Sequence, residues 1–567
     1  MGSSDLEISR AATLKPIAEL AASLGFRPGE VEPYGRTKAK IRLECEKRLG
    51  APKAKAVVVT AITPTPLGEG KTVTTVGLGQ ALRHIGVNAW TCIRQPSAGP
   101  VFGIKGGAAG GGRAQIVPME DINLHLTGDI HAVAIAHNLA AAFIDNHLNR
   151  DNVLRIIPER ILWGRVVDVN DRALRRILTG LAEDCGPIRE TRFDIAVASE
   201  VMAVLALASS YTDLRTRIGR IILAYRRGDD GVPTPLTADG LKCAGAMTAL
   251  LRDALCPNLM QNLEGGPAFV HCGPFGNIAH GNSSVVADRI AGRLADVVVT
   301  EAGFGSDLGF EKYVHVKTPA GGIPASAAVI VCTCRAIKAH SGLFKVLPGA
   351  PLDPGLSTEN MDALEAGLAN LAHHLRIVRG FGVPPVVAIN RFPGDSDREI
   401  ARIRAYALAH GAADAVESLV HARGGPGGAP LARAVMAALG QNAVARPLFP
   451  DDAPVEDKIR TIATSVYRAA GVEFSAASKL SLKRLEKAGL AKAAVCMAKT
   501  HLSTSHSAEL KGAPEGFTIP VREIRISAGA GFVVPFLGDI TTMPGLPSSP
   551  AGERIDIDAD GNVTGLA

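Results

Sequence analysis

Short, continuous apolar runs recur along the chain at 56–62, 297–301, 328–332 and 385–389, and helix-compatible stretches alternate with them. Runs this short, rich in Val, Ile and Ala and without polar alternation, suit parallel strands covered on both faces. The strand–helix alternation predicts an α/β fold, a P-loop-type parallel sheet with helices on both faces and two smaller α/β domains after it. Gly-Pro-rich breaks near 346–355 and 424–430, and a charge-rich helical stretch at 477–494, place the units at 1–345, 346–470 and 471–567. The apolar stretch at 195–207 is broken by Glu200, and no segment has the length and purity of a membrane span. The tail, 555–563, reads as a hairpin around Asp560-Gly561. Its acidic alternation resembles the start of a calcium loop, but the position that needs a bidentate Glu is Ala567, which excludes calcium.

Between the run at 56–62 and a helix pattern at 73–83 stands Thr65-Pro66-Leu67-Gly68-Glu69-Gly70-Lys71-Thr72. A glycine-rich turn between strand and helix holds a nucleotide triphosphate, because backbone N–H groups and the helix N-terminus face the phosphates. Lys71, on a solvent-facing turn, would reach the outer phosphates, and the Thr72 hydroxyl would hold Mg²⁺. Thr65 stands where the usual first glycine would be. The competing reading is an αL glycine turn with a surface lysine.

The segment at 94–113 carries seven glycines flanked by the cations Arg94 and Lys105. Successive glycine N–H groups can form an anion-binding concavity. A flexible linker is the alternative, although linkers of that kind are usually Ser-rich and polar. His125, Asp129, His131 and His137 lack the spacing of a zinc site, apart from Asp129 near His125, and read as solvated or core groups.

The net charge of +6 over 567 residues is small and gives no nucleic-acid signature, while it suits anionic small-molecule substrates. The polar N-terminus lacks the apolar core of a signal peptide. Nine scattered cysteines without a Cys-x-x-Cys pair read as reduced thiols of a cytoplasmic protein. Cys332 and Cys334 are expected to share one face of a strand.

The string at 63–82 resembles the phosphate loop of the formate–tetrahydrofolate ligase family, and the resemblance continues at 105–112, 118–132, 193–203, 266–281, 300–309, 387–392, 527–532 and 542–547. The resemblance implies an enzyme that phosphorylates formate with MgATP and passes the formyl group from formyl phosphate to N10 of tetrahydrofolate. By position, Lys71 and Arg94 would clamp the transferred phosphoryl, and Thr72 would hold the metal. Phe304, Asp307, Thr542, Met543 and Pro544 would lie by the adenine, and Gln95, Phe392 and His421 by the folate. A monovalent cation and a homotetramer are further implications of the resemblance.

The chain departs from the family inside several motifs. Gln95 replaces a Glu, Arg113 a Tyr, His421 the Trp that faces Phe392 across the pterin, and His501-Leu502 a Gln-Tyr pair. The nucleotide half is nearly intact and the folate half is altered. Three expectations therefore stand together: a folate ligase, a ligase for another acceptor, and a non-catalytic nucleotide-binding homologue.

Overall fold

Seven parallel strands form the centre of the molecule: β1 (Lys55–Ala61), β2 (Ala89–Ile93), β3 (Pro267–Val270), β4 (Val297–Glu301), β5 (Ala325–Cys332), β6 (Pro385–Asn390) and β7 (Asp414–Ser418). The computed structural model describes residues 4–105, 107–346 and 351–566, without the side chains of Lys105 and Lys487. Gly106 and the Lys105 side chain of the glycine-rich segment, residues 347–350 of the first Gly-Pro break, and Ala567 lie outside the described residues.

The spatial order is β3-β2-β4-β1-β5-β6-β7, extended beyond β3 by the antiparallel strands Asn258–Asn262, Lys38–Ile41 and Val31–Tyr34. The chain runs from β1 to β2 on one side of the sheet and from β4 to β5 across β1. That reversal opens a crevice at the C-terminal edge, the place where open α/β sheets bind ligands.

Both faces of the sheet are covered, which is why the strands read as unbroken apolar runs. Val57 and Val59 point to the helices α1 (Lys71–His84) and α3 (Val420–Leu439). Val58 points the other way, to α2 (Met361–Gly380) through Leu364, Leu368 and Leu371. Burying each such Val or Leu contributes about 1.5–3 kcal/mol relative to exposure. A separate apolar cluster gathers helix Asp129–Asn149, helix Glu200–Leu207 and the sheet Ile156–Ile161, Ile222–Arg227 and Pro233–Thr237 into a side lobe. No helix among the described residues is long and apolar enough to cross a membrane.

Several expectations change in detail. β6 and β7, from the expected second unit, are the last two strands of the same central sheet as β1, with β7 at its edge. The break at 424–430 lies inside the α3 run. The helix there kinks at Gly424 (φ 58), whose neighbour Gly425 gives its N–H to Glu264 at 2.7 Å. Pro426 then sits in a first turn that needs no N–H from it. Cys334 is not on a strand with Cys332. The Thr333 hydroxyl accepts the Ala336 N–H and starts a helix at Cys334. The helix expected over 477–494 is Ala476–Lys487, and Gly489 (φ 71) follows its end. The C-terminal unit holds two small sheets, Gly471–Phe474 with Thr518–Val521, and Ala494–Val495 with Phe532–Phe536 and Glu523–Ser527. The tail forms a hairpin of Asp556–Ile557 with Val563–Thr564, turning at Gly561 (φ 80).

Candidate active site

β1 ends in the phosphate loop, and the loop is closed by its own side chains. Glu69 Oε1 accepts the Thr65 N–H at 2.7 Å and the Thr65 hydroxyl at 3.0 Å, and Thr65 Oγ1 accepts the Leu67 N–H at 3.2 Å. A glycine at 65 could supply neither hydroxyl contact, which accounts for the threonine. Pro66 lies in this closed turn. Gly68 (φ 74) and Gly70 (φ 77) take the left-handed conformation that glycine adopts without strain. At Gly70 a Cβ would also sit 2.4 Å from the Asn390 amide nitrogen. That amide, at the end of β6, donates to the Glu69 carbonyl at 3.1 Å.

Lys71 and Thr72 open α1. Burial lowers the Lys71 pKa, opposed by Glu69 and Glu301. Lys71 itself is half-buried at the start of α1, between these acids and solvent. Burial likewise raises the Glu69 pKa.

The neighbouring strands complete the site. Arg94 immediately follows β2, and Glu301 is the last residue of β4, the strand between β2 and β1. Glu301 Oε1 lies 3.2 Å from Arg94 Nε, and its Oε2 accepts the Thr72 hydroxyl at 2.9 Å. One carboxylate, 5% exposed, therefore joins the loop to Arg94. Sequence reasoning passed over Glu301. The signal was an acid ending a Val-Val-Val-Thr strand, where a polar residue reaches the sheet's C-terminal edge.

Phe304 (φ 62) follows β4 and stacks on His501, with ring centroids 4.6 Å apart and planes at 27°. Burial lowers the His501 pKa to about 4, with Lys499 and Lys71 adding to the effect, so the ring is neutral at pH 7. Asp307 is buried and paired with Lys499 at 2.6 Å. Lys499 also donates to the Thr500 and Ser503 carbonyls, so Asp307 anchors the segment that carries His501.

Thr542–Pro544 is anchored on residues 175–195. The Thr542 hydroxyl donates to Asp194, its carbonyl accepts the Ile195 N–H at 2.9 Å, and the Met543 carbonyl accepts Arg175 Nε at 2.9 Å. No hydrogen bond among the described residues joins this segment to Phe304, Asp307 or the phosphate loop.

Gln95, Phe392 and His421 occupy the ends of β2, β6 and β7. Gln95 is buried, with its N–H on the Cys272 carbonyl at 2.7 Å and its Oε1 without a partner among the described residues. Phe392 is half-buried, and its N–H donates to Asp395 at 2.8 Å. β6 and β7 pair Asn390 with Ser418, so Phe392 and His421 leave adjacent strands two and three residues past a register pair. His421 is exposed, and its carbonyl accepts the Arg113 N–H at 2.8 Å. Gly110–Gly111 pairs antiparallel with Ala114–Gln115 and backs the His421 turn; a Cβ on Gly112 would meet its ring at 2.9 Å. The described part of the glycine segment is thus packed structure and no linker.

The four residues weighed for zinc do not converge. Asp129 pairs with Lys40 at 2.7 Å, whereas His137 bonds Ser199 at 2.8 Å and stacks on Trp163.

Behind the loop lies a histidine network that sequence reasoning missed. His374 bridges the Thr63 and Ser306 hydroxyls at 2.9 and 2.6 Å, and His340 meets the Thr63 carbonyl at 2.8 Å. Both start of the loop and turn after β4 are thereby fixed. Burial lowers the pKa of His271, His340 and His501 to about 4 and of His137 to about 3, from an ordinary 6.5. The unfolded chain binds protons at these histidines below about pH 6.5 that the folded chain refuses until about pH 4 or lower. Stability is therefore lost as pH falls through that window, by about 1.4 kcal/mol per pH unit for each group. Glu200 acts oppositely, because burial raises its pKa to about 7 and its protonation favours the fold. The histidines outnumber it, so the urea midpoint should fall between pH 7.5 and 5.5. A midpoint that is flat or rising would show that these rings are not buried neutral.

Side by side along one edge of the sheet thus stand a phosphate loop with a half-buried lysine, an arginine joined to that loop through Glu301, and two rings that follow neighbouring strands. A match to the formate–tetrahydrofolate ligase family runs over residues 3–567. The chain is 57% identical over 566 residues to the formate–tetrahydrofolate ligase of Roseiflexus sp. (strain RS-1), covering 100% of both chains. It is 54% identical to that of Saccharopolyspora erythraea, covering 100% of this chain and 99% of the relative. With that of Paracoccus denitrificans the identity is 52%, over 99% of this chain and 100% of the relative. The chain belongs to the formate–tetrahydrofolate ligase family.

Proposed function

We propose that the protein ligates formate to tetrahydrofolate with ATP, giving 10-formyltetrahydrofolate, ADP and phosphate through formyl phosphate. The observation that carries the reading is the junction of Thr72, Glu301 and Arg94 beside Lys71. A formate oxygen attacks the γ-phosphorus and ADP leaves. The N10 lone pair then attacks the formyl carbon, phosphate leaves, and the N10 proton passes to solvent or phosphate. Formate alone is a poor acyl donor because oxide would have to leave; phosphorylation supplies the leaving group. Lys71 and Arg94 hold the charge gathering on the phosphoryl oxygens. The Thr72 hydroxyl and the Glu301 carboxylate form the all-oxygen donor set that suits Mg²⁺, which would neutralise phosphate charge when bound. Phe304 and His501 form the aromatic side for the base.

Phe392 and His421 form the acceptor side. Imidazole offers less area to a pterin than the indole it replaces. His421→Trp should therefore lower the tetrahydrofolate KM about fivefold, as expected for roughly 1 kcal/mol of added stacking, and leave the ATP KM unchanged. The test is ADP release from MgATP with formate, with and without tetrahydrofolate. Release that needs formate but ignores tetrahydrofolate points to another acceptor. No release under any condition points to a nucleotide-binding homologue without turnover. Added potassium in the same assay tests the monovalent cation.

Nine unpaired cysteines support a reducing, cytoplasmic compartment. We further read the chain as a homotetramer, with Leu178, Leu181 and Ile188, each more than half exposed, among the apolar surface that assembly would cover. Sedimentation should give four times the 59.0 kDa chain mass; a monomer mass would refute it.

A further inference from the structure

Arg335 belongs to neither half of the site as read from sequence, yet it touches both. It lies in the first turn of helix Cys334–Ala339, which the Thr333 cap starts directly after β5 and which buried Ala336 and Ile337 anchor. Arg335 Nη2 donates to the Leu67 and Gly68 carbonyls of the phosphate loop, at 3.1 and 3.3 Å. The guanidinium carbon sits 3.7 Å from the centroid of the Phe392 ring. Arg335 makes no ion pair among the described residues, and its Nε has no hydrogen-bond partner among them. Burial lowers its pKa, opposed only by the more distant Glu69 and Asp395. A guanidinium without a paired carboxylate is costly to enclose, and here its compensation is two loop carbonyls and one aromatic face.

We propose that Arg335 is a positioning residue that couples the two halves of the site: nucleotide on the phosphate loop and tetrahydrofolate on Phe392 raise each other's affinity through this one guanidinium. The proposal rests on the reading of Phe392 as the acceptor platform. Nucleotide orders the loop and with it the Leu67 and Gly68 carbonyls. These carbonyls hold the guanidinium plane, and the plane covers one face of Phe392. The ring is thereby fixed from one face, which leaves its other face to the pterin. Tetrahydrofolate then meets a platform already in place. By linkage, the acceptor improves nucleotide binding by the same factor. The Asn390 contact with the Glu69 carbonyl ties the same strand end to the loop, but it bypasses the ring.

The experiment is calorimetric titration of tetrahydrofolate into the protein, with and without a saturating non-hydrolysable MgATP analogue. In the parent protein the analogue should tighten tetrahydrofolate by about fivefold or more, within the usual span of coupling between two sites. Arg335→Met should bring the ratio close to one. Arg335→Lys keeps a donor for the loop carbonyls but loses the plane over the ring. Its ratio should also approach one, while its affinity for the analogue alone stays within about threefold of the parent, since a single ammonium can still reach a carbonyl. Phe392→Leu retains Arg335 and should lose both the coupling and much of the tetrahydrofolate affinity; it decides the matter if the Arg335 variants melt early. A ratio of one in the parent, or an unchanged ratio in both Arg335 variants, overturns the proposal. Unchanged tetrahydrofolate affinity in Phe392→Leu without nucleotide instead refutes the platform reading, and this route of coupling with it.

Discussion

Lys71→Ala should reduce ATP turnover by about a hundredfold or more while leaving the thermal midpoint close to that of the parent. Loss of one preorganised cation at a site of developing phosphoryl charge costs about that much. The structure strengthens the expectation made from sequence alone. Lys71 is half-buried, with Glu69 and Glu301 acting on it, so its ammonium is held in place by the loop's own acids. Removing it also leaves the two acids without that cation, yet the Glu69 carboxylate keeps its bonds to Thr65 and the Glu301 carboxylate keeps Arg94 and Thr72. The loop should therefore stay closed. Initial rates of ADP formation with saturating formate and tetrahydrofolate, beside a melting curve, check both halves. Turnover within threefold of the parent would mean that the loop is not where phosphoryl transfer takes place.

Glu301→Gln should lower kcat/KM by roughly a hundredfold and move the alkaline limb of the pH–rate profile to lower pH. The carboxylate accepts from Thr72 with one oxygen and from Arg94 with the other. A carboxamide can accept at only one of these places and presents a donor to the other. Truncating one partner of a buried charge pair commonly costs about 3–5 kcal/mol, and the partial exposure of Arg94 reduces that here. Glu301 also raises the Lys71 pKa against the effect of burial. Without it that pKa falls further, so Lys71 loses its proton at a lower pH and activity declines earlier as pH rises. A profile superimposable on the parent's, at an unchanged rate, would show that Glu301 is only structural.

The two outcomes separate two ways of reading the site. Lys71 and Thr72 were legible in the sequence because a phosphate loop is a local device. A strand, glycines at left-handed positions and a helix N-terminus follow one another within a few residues, and each leaves a mark in composition. Arg94 had a local signal of its own, as a cation flanking the glycine-rich segment, whereas the rings Phe304, Phe392 and His421 were reached only through resemblance over long motifs. Aromatic residues in loops are common in any α/β chain. Glu301, Arg335 and the His340–His374 network were not seen at all. Each is an ordinary strand-end or helix residue until its neighbour is known. Asp307 was reached through the resemblance, but its commitment to Lys499 was not.

By itself, then, the chain determined its elements and its phosphate loop. Short, unbroken Val-rich runs suit strands covered on both faces, and Thr65 to Thr72 can close on itself through Glu69. The tertiary structure decided which elements stand side by side. Glu301 is 229 residues from Thr72, and Arg335 is 268 from Leu67. They meet because β4 and β5 flank β1 in the sheet, an order set by how the helices pack on its two faces. It also decided that 424–430 is a helix kink and that Cys334 starts a helix. In each case a capping contact, from Glu264 or from Thr333, overrides what the local run of residues suggests. Local patterns encode backbone conformation, because φ, ψ and burial periodicity are properties of neighbouring residues. Charge partners across a sheet edge depend on strand order, and that order exists only once the core has packed.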